Sequence, residues 1–258
     1  MSDPQLLVLA GALGLAVGSF LNVCIYRLPR GQSLASPPSR CPACERPLRP
    51  WHNIPVVSWI ALRGRCAHCR CRISARYPVV EIVTAVVWVL VAGMTPPGWL
   101  LASRLVLATA LIALFMIDLE HQLLPNVITL PGIAVGFAFS FLAPPGPVNS
   151  LIGILVGGGT LYAIAAGYYW LRKEEGMGMG DVKMLAMIGA FLGWRAVLLT
   201  LVLASFAGSV IGVAILAVQR GNLRYALPFG TFLALGTMIA MLFGEAMLDW
   251  YLGFYPAL

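Results

Sequence analysis

Charge is what this sequence has least of. Only 10% of its 258 residues are Asp, Glu, Lys or Arg, where soluble domains carry roughly 25%. Hydrophobic residues make up 60% and mean hydropathy is +0.87. A soluble fold cannot hide that much apolar surface, so the chain reads as an all-α polytopic membrane protein. The common hydrolase signatures are also missing. No His-Glu-x-x-His occurs, because Glu120-His121 runs on into Gln122-Leu123-Leu124-Pro125, and a membrane zinc protease is not supported. There is no Gly-x-Ser-x-Gly elbow. The first apolar run, Leu6 to Ile25, has no Lys or Arg before it. It lacks the basic start of a signal peptide and is expected to remain as a span. Gly157-Gly158-Gly159 lies mid-span with no strand before it, which favours helix packing over phosphate binding.

The charge that is present is unevenly spread. From Arg27 to Arg76 there are ten arginines against one acid, Glu45, for a net +9, whereas the rest of the chain nets −2. In a membrane protein such a loop is read first as cytoplasmic, ahead of a nucleic-acid surface, and no nucleic-acid partner is expected. The candidate spans are 5–26, 78–94, 99–117, 127–143, 150–171, 182–193, 196–218 and 228–251. The breaks on the side of the basic loop hold Glu120 and His121, then Arg172 to Glu175, then Arg220 and Arg224; the opposite breaks hold one charge, Arg195. About eight transmembrane helices with both termini outside satisfy the positive-inside rule. The expected organisation is a first transmembrane helix over 1–26, a cytoplasmic zinc-binding loop domain over 27–77 and a membrane-embedded core over 78–258.

Within the loop, Cys41-Pro42-Ala43-Cys44 and Cys66-Ala67-His68-Cys69 are two Cys-x-x-Cys pairs separated by 21 residues. Paired thiolates at this spacing suit a tetrahedral zinc ion, and the loop is too poor in large apolar residues to build a core without one. Cys41, Cys44, Cys66 and Cys69 are the expected ligands of a closed, structural site. His68 and Cys71 could substitute as ligands, but Cys71 reads first as a spare thiol, and Cys24 as core. Four reduced structural cysteines are the alternative. The middle of the loop, Trp51 to Ile60, is too apolar for a free loop. It is expected in the membrane interface, or as a re-entrant platform, with His52 as an interfacial hydrogen-bonding residue.

Two acids stand at the mouths of apolar runs, where charge is costly and therefore informative. Asp118 ends one run; Asp181 starts another, behind the glycine-rich stretch Gly176-Met177-Gly178-Met179-Gly180. On the inferred topology both lie on the cytoplasmic side. Two carboxylates sharing a site keep one proton between them, so one can deprotonate water while the other polarises a carbonyl. That is aspartyl proteolysis, without a metal in the reaction. Asp181, ahead of a helix, is expected as the ionised partner, and Asp118, at a helix end, as the proton-bearing one. The competing readings are that each acid caps a helix or pairs with a base, and, for the whole chain, a zinc-stabilised membrane transporter using both Asp as an ion relay. Glu81, just inside the second span, reads either as functional or as a partner of Arg76.

An ordered set of stretches resembles the bacterial type IV prepilin peptidases, intramembrane aspartyl proteases of the Gly-x-Gly-Asp type. These are Gly18 to Val23, Tyr26-Arg27-Leu28-Pro29, the two Cys pairs, Asn53-Ile54-Pro55, Arg76 to Glu81, Asp118 with Leu124-Pro125-Asn126, Gly178 to Lys183, and Pro228-Phe229-Gly230. The resemblance spans nearly the whole chain. It implies that Asp118 and Asp181 are catalytic. The implied enzyme sits in the bacterial inner membrane and cuts the basic leader of prepilins or pseudopilins on the cytoplasmic side, after a glycine. It then methylates the new N-terminal residue, usually Phe, with S-adenosylmethionine. The methyl-donor residues implied are Gly18, Asn22 and Glu81.

Overall fold

The computed structural model describes residues 3–41, 43–174, 177–218 and 228–253. Pro42 of the first Cys pair, Glu175 at the end of the break that starts at Arg172, Gly176 of the glycine-rich stretch, and the break with Arg220 and Arg224 lie outside the described residues. Among those described, the regular structure is helical, with two isolated β-bridges, Arg40 to Pro47 and Arg65 to Arg72. Among the described residues, six helices are long and apolar enough to cross a membrane, judged by length and composition.

Compactness divides the chain between Pro97 and Gly98. The second span therefore groups by its contacts with the first helix and the loop. In the first unit, α1 (Pro4–Arg27) is capped by Asp3, whose carboxylate accepts from the Gln5 N–H at 2.9 Å. A short helix, α2 (Val57–Ala61), lies in the loop, and α3 (Arg76–Met94) packs along α1. The sequence reason for that packing is small residues. A Cβ at Gly14 would lie 2.7 Å from Ala85 Cα, and one at Gly18 would lie 2.7 Å from Glu81 Cα, so only glycine lets the two backbones meet this closely.

The second unit holds α4 (Trp99–His121), α5 (Asn126–Phe139), α6 (Pro147–Arg172), α7 (Met179–Val218) and α8 (Phe229–Leu252). Leu107, Leu111, Leu114 and Ile117 recur at helical spacing along α4 and are fully buried, as are Met184, Leu185, Met187 and Ile188 of α7. The 40 residues of α7 would run about 60 Å as one rod, twice the roughly 30 Å of a hydrocarbon core. Its backbone leaves helical geometry at Gly193, with φ 78° and ψ 175°. The neighbours of the two halves show what the break does. Before it, Gly189 meets Gly153 and Gly157 meets Leu185, with Ser150 Oγ donating to the Ala190 carbonyl at 2.7 Å. After it, Gly236 lies against Thr200 and Ala204, and Gly208 against Phe232. The chain thus returns after Gly193 towards the end where α8 begins. The short span expected at 182–193 and the span at 196–218 are these two halves, and α5, at 14 residues, is the shorter apolar helix beside them.

Candidate active site

Asp118 sits in the last turn of α4. The helix stops because Gln122 takes the left-handed conformation, φ 50°, and its N–H bonds to the Asp118 carbonyl. The side chain is 95% buried, at 5% exposure. Its Oδ2 accepts the Thr231 N–H at 2.7 Å and the Thr231 hydroxyl at 3.0 Å. Thr231 lies in the first turn of α8, whose cap position is Pro228 and offers no side-chain hydrogen bond. The first turn of a helix leaves N–H groups without internal partners. Asp118 fills one of them from another helix.

Asp181 lies in the first turn of α7 and is partly buried. It stands close enough to Asp118 for the two carboxylates to interact electrostatically. The space around them is held open by glycine. A Cβ at Gly230 would lie 2.9 Å from Asp118 Oδ2 and 2.9 Å from Leu124 Cδ1, and one at Gly180 would lie 2.9 Å from Leu124 Cβ. Leu124 is therefore wedged between two glycines, one next to each aspartate. At the rim, Lys183 Nζ donates to Asn126 Oδ1 at 2.9 Å, tying the residues after Asp181 to the start of α5. The stretches carrying Asp118, Asp181 and Pro228-Phe229-Gly230, far apart in sequence, form one mouth. Thr231 is the member that sequence reasoning missed. Its only signal was its place one residue past that last stretch.

In the first unit the loop folds as two matching knuckles. Cys41 N–H bonds to the Arg46 carbonyl and Glu45 N–H to the Cys41 carbonyl; Cys66 N–H bonds to the Cys71 carbonyl and Arg70 N–H to the Cys66 carbonyl. Glu45 and Arg70 both take positive φ, 55° and 59°. The thiols of Cys41, Cys66, Cys69 and Cys71 lie within 4.8 Å of one another, with Cys41 Sγ 3.8 Å from Cys69 Sγ and 3.5 Å from Cys71 Sγ. Tetrahedral zinc with bonds of about 2.3 Å needs sulfurs about 3.8 Å apart, so the donor set fits. It differs from the expected one: Cys71, read as spare, joins the cluster. Cys44 also interacts with Cys41, Cys66 and Cys69. Five thiols surround one centre because Cys71 occupies in the second knuckle the place Arg46 has in the first. The Cys41 thiol comes down to about 6; burial opposes its ionisation, but the Cys44 and Ala43 N–H groups and the Cys71 and Cys66 thiols outweigh it. Backbone N–H groups of Cys69 and His68 bring Cys66 down in the same way. Each knuckle is thus shaped for a thiolate before any ion arrives.

Glu81 is turned to the loop backbone and to α1. Its Oε2 accepts the Val56 N–H at 2.7 Å, and Ser19 faces it from α1. Asn22 donates from Nδ2 to the Gly18 and Tyr77 carbonyls, while its buried Oδ1 has no partner. Gly18, Asn22, Ser19 and Glu81 are therefore brought to one stretch of the α1–α3 contact.

Two family models match the chain. The bacterial peptidase A24 N-terminal domain covers residues 12–95, and the type IV leader peptidase family covers residues 105–213. The chain belongs to the type IV leader peptidase family. Its relatives match over nearly their full length. A prepilin leader peptidase/N-methyltransferase of Aeromonas salmonicida is 38% identical, over 92% of this chain and 91% of the relative. One from Stutzerimonas stutzeri is 38% identical over 98% and 96%, and one from Pseudomonas aeruginosa 37% over 94% and 92%. No solved structure matches the chain. The two family matches fall on the two compact units, the first with the cysteine knuckles and Glu81, the second with both aspartates.

Proposed function

We propose that Asp118 and Asp181 are the water-activating pair of this peptidase. The enzyme removes the leader peptide of prepilins and N-methylates the terminus so exposed, and it works as a multi-pass inner-membrane protein. The observation that supports the pair is the mouth itself: two interacting carboxylates on different helix ends, lined by Gly180 and Gly230. The hydrogen bonds favour roles opposite to those expected from sequence. Asp118 accepts two donors at the start of a helix, an arrangement that suits a carboxylate anion. Asp118 is then the base that takes a proton from water, and Asp181 carries the proton that polarises the scissile carbonyl. Collapse of the tetrahedral adduct returns the proton held by Asp118 to the leaving amine. The glycines let an extended substrate backbone approach the pair without steric conflict. The cut falls on the cytoplasmic side, after a glycine that follows a basic leader.

The methyl group, transferred to a residue that is usually Phe, comes from S-adenosylmethionine. Asn22 and Glu81 are the residues we assign to its site, because a buried unpaired acceptor beside a buried carboxylate suits a cationic donor. Gly18 contributes by letting α1 close on α3. Zinc, held by the knuckle thiols, organises the loop and leaves no open position for chemistry. The test is Asp118→Asn and Asp181→Asn, each reconstituted with a prepilin in proteoliposomes. Each variant is expected to stay folded, since asparagine at 118 still offers Thr231 an acceptor, and to lose cleavage. Cleavage by either variant refutes the pair. Retained methylation of a substrate supplied already cut shows that the loss is confined to proteolysis.

A further inference from the structure

The middle of the loop has two unlike sides. One is tied into the first unit: Ser58 Oγ donates to the Trp51 carbonyl at 2.8 Å and accepts the Ile54 N–H at 3.0 Å. On the same side Trp59 Nε1 donates to the Ile73 carbonyl at 3.2 Å, and a Cβ at Gly64 would touch the Trp59 ring. The other side carries Trp51, Ile54, Val57 and Ile60 at a constant spacing of three. Their exposures are 59%, 47%, 60% and 64%. Arg49, Arg63 and Arg65, which flank them in the chain, are exposed, and the Arg49 guanidinium stands 5.6 Å over the Trp51 ring.

Two contacts fix how deep this segment sits relative to the spans beside it. Val56 N–H bonds to Glu81, which is five residues past Arg76 on α3, about 7.5 Å along the axis; the Glu81 side chain leans back towards its N-terminus, so Val56 lies roughly one turn inside Arg76. Asn53 and Pro55 line a cavity of about 420 Å³ whose α1 wall runs from Ala16 through Ser19 and Val23 to Arg27, so they lie alongside the last three turns of α1 and not beyond its end. The hydrogen bond puts Val56 inside the level of Arg76, and the cavity sets Asn53 and Pro55 beside the end of α1 rather than out in water. An interfacial apolar face sits about 5–10 Å into the boundary between headgroups and acyl chains.

We infer that residues 51–60 are set into the cytoplasmic headgroup region of the bilayer, with Trp51, Ile54, Val57 and Ile60 in contact with lipid. Arg49, at the Trp51 ring, and the exposed Arg63 and Arg65 that follow Ile60 in the chain suit anionic headgroups at that level. Val79, Ile82 and Val83, next to Glu81 in α3, are exposed apolar side chains at a similar depth. It holds the floor of the Ser19 cavity at membrane depth.

The test uses the full-length, zinc-loaded protein in vesicles of phosphatidylethanolamine and phosphatidylglycerol. Tryptophan emission is compared between wild type and Trp51→Phe, so that the difference belongs to Trp51. Lipids brominated near the top of the acyl chain are expected to cut that difference by roughly half or more, with aqueous acrylamide having little effect. Ile60→Trp in the Trp51→Phe background gives a second reporter, expected to behave in the same way. Quenching by acrylamide and not by brominated lipid, at both positions, places the segment in water and overturns the inference. Shielding from both quenchers that appears only with a prepilin, or only at high protein density, assigns the face to a protein partner and overturns it equally.

Discussion

Replacing Thr231 with valine removes one hydroxyl and little else. Valine keeps the β-branched shape and the backbone N–H, so Asp118 Oδ2 retains its 2.7 Å bond and loses the one at 3.0 Å. A hydrogen bond to an ionised group contributes about 1.5–3 kcal/mol. The lost bond is longer than the roughly 2.5–2.7 Å of a strong hydroxyl–carboxylate bond, so the lower end of that range applies. About 1.5 kcal/mol corresponds to a roughly tenfold fall in rate. Thr231 lies behind the carboxylate, so the fall is expected in kcat, with KM for prepilin little changed. Thr231→Ser, which keeps the hydroxyl, is expected to cleave at close to the wild-type rate. The assay is the mobility shift of a purified prepilin in proteoliposomes, followed as an initial rate over a range of substrate concentrations. Wild-type kcat in Thr231→Val refutes the argument. So does an equal loss in the valine and serine variants, which makes the residue a packing element and not an orienting one.

Gly189→Ala drives a methyl group into the Gly153 backbone; overpacking of this kind costs about 1–3 kcal/mol, read as a lower midpoint of thermal unfolding in detergent, with the rate per folded molecule preserved. For the metal, Cys41→Ser or Cys66→Ser is expected to release zinc, because both thiols are buried at the centre of the cluster. Single replacement of Cys44 or Cys71 is expected to leave it bound, since a fifth thiol stands by; metal analysis after dialysis checks both. Glu81→Gln keeps an acceptor for the Val56 N–H but removes the charge, so methylation is expected to fall at least tenfold in a radiolabel transfer assay while leader cleavage continues. Equal loss of both activities counts against Glu81 as part of the methyl-donor site.

What the sequence determined by itself rests on short range and strong chemistry. Apolar runs long enough to span a bilayer, arginines gathered in one loop, thiols in pairs and acids at span ends each carry their meaning within a few residues. The helical class, the paired thiols and the family resemblance were legible for that reason, and the two aspartates stood out as candidates. Tertiary structure decided what depends on partners remote in the chain. Asp118 and Thr231 are 113 positions apart, and no periodicity connects an acid at the end of α4 with an uncapped N–H on α8. That one contact is what the proposal of Asp118 as the base rests on. Cys71 entered the thiol cluster because the second knuckle repeats the turn of the first, a match of backbone and not of sequence. Gly193 could mark either a loop or a kink; only the neighbours of the two halves of α7 show the chain turning back. The sequence thus named the two acids, and their roles depend on which helix start each one meets.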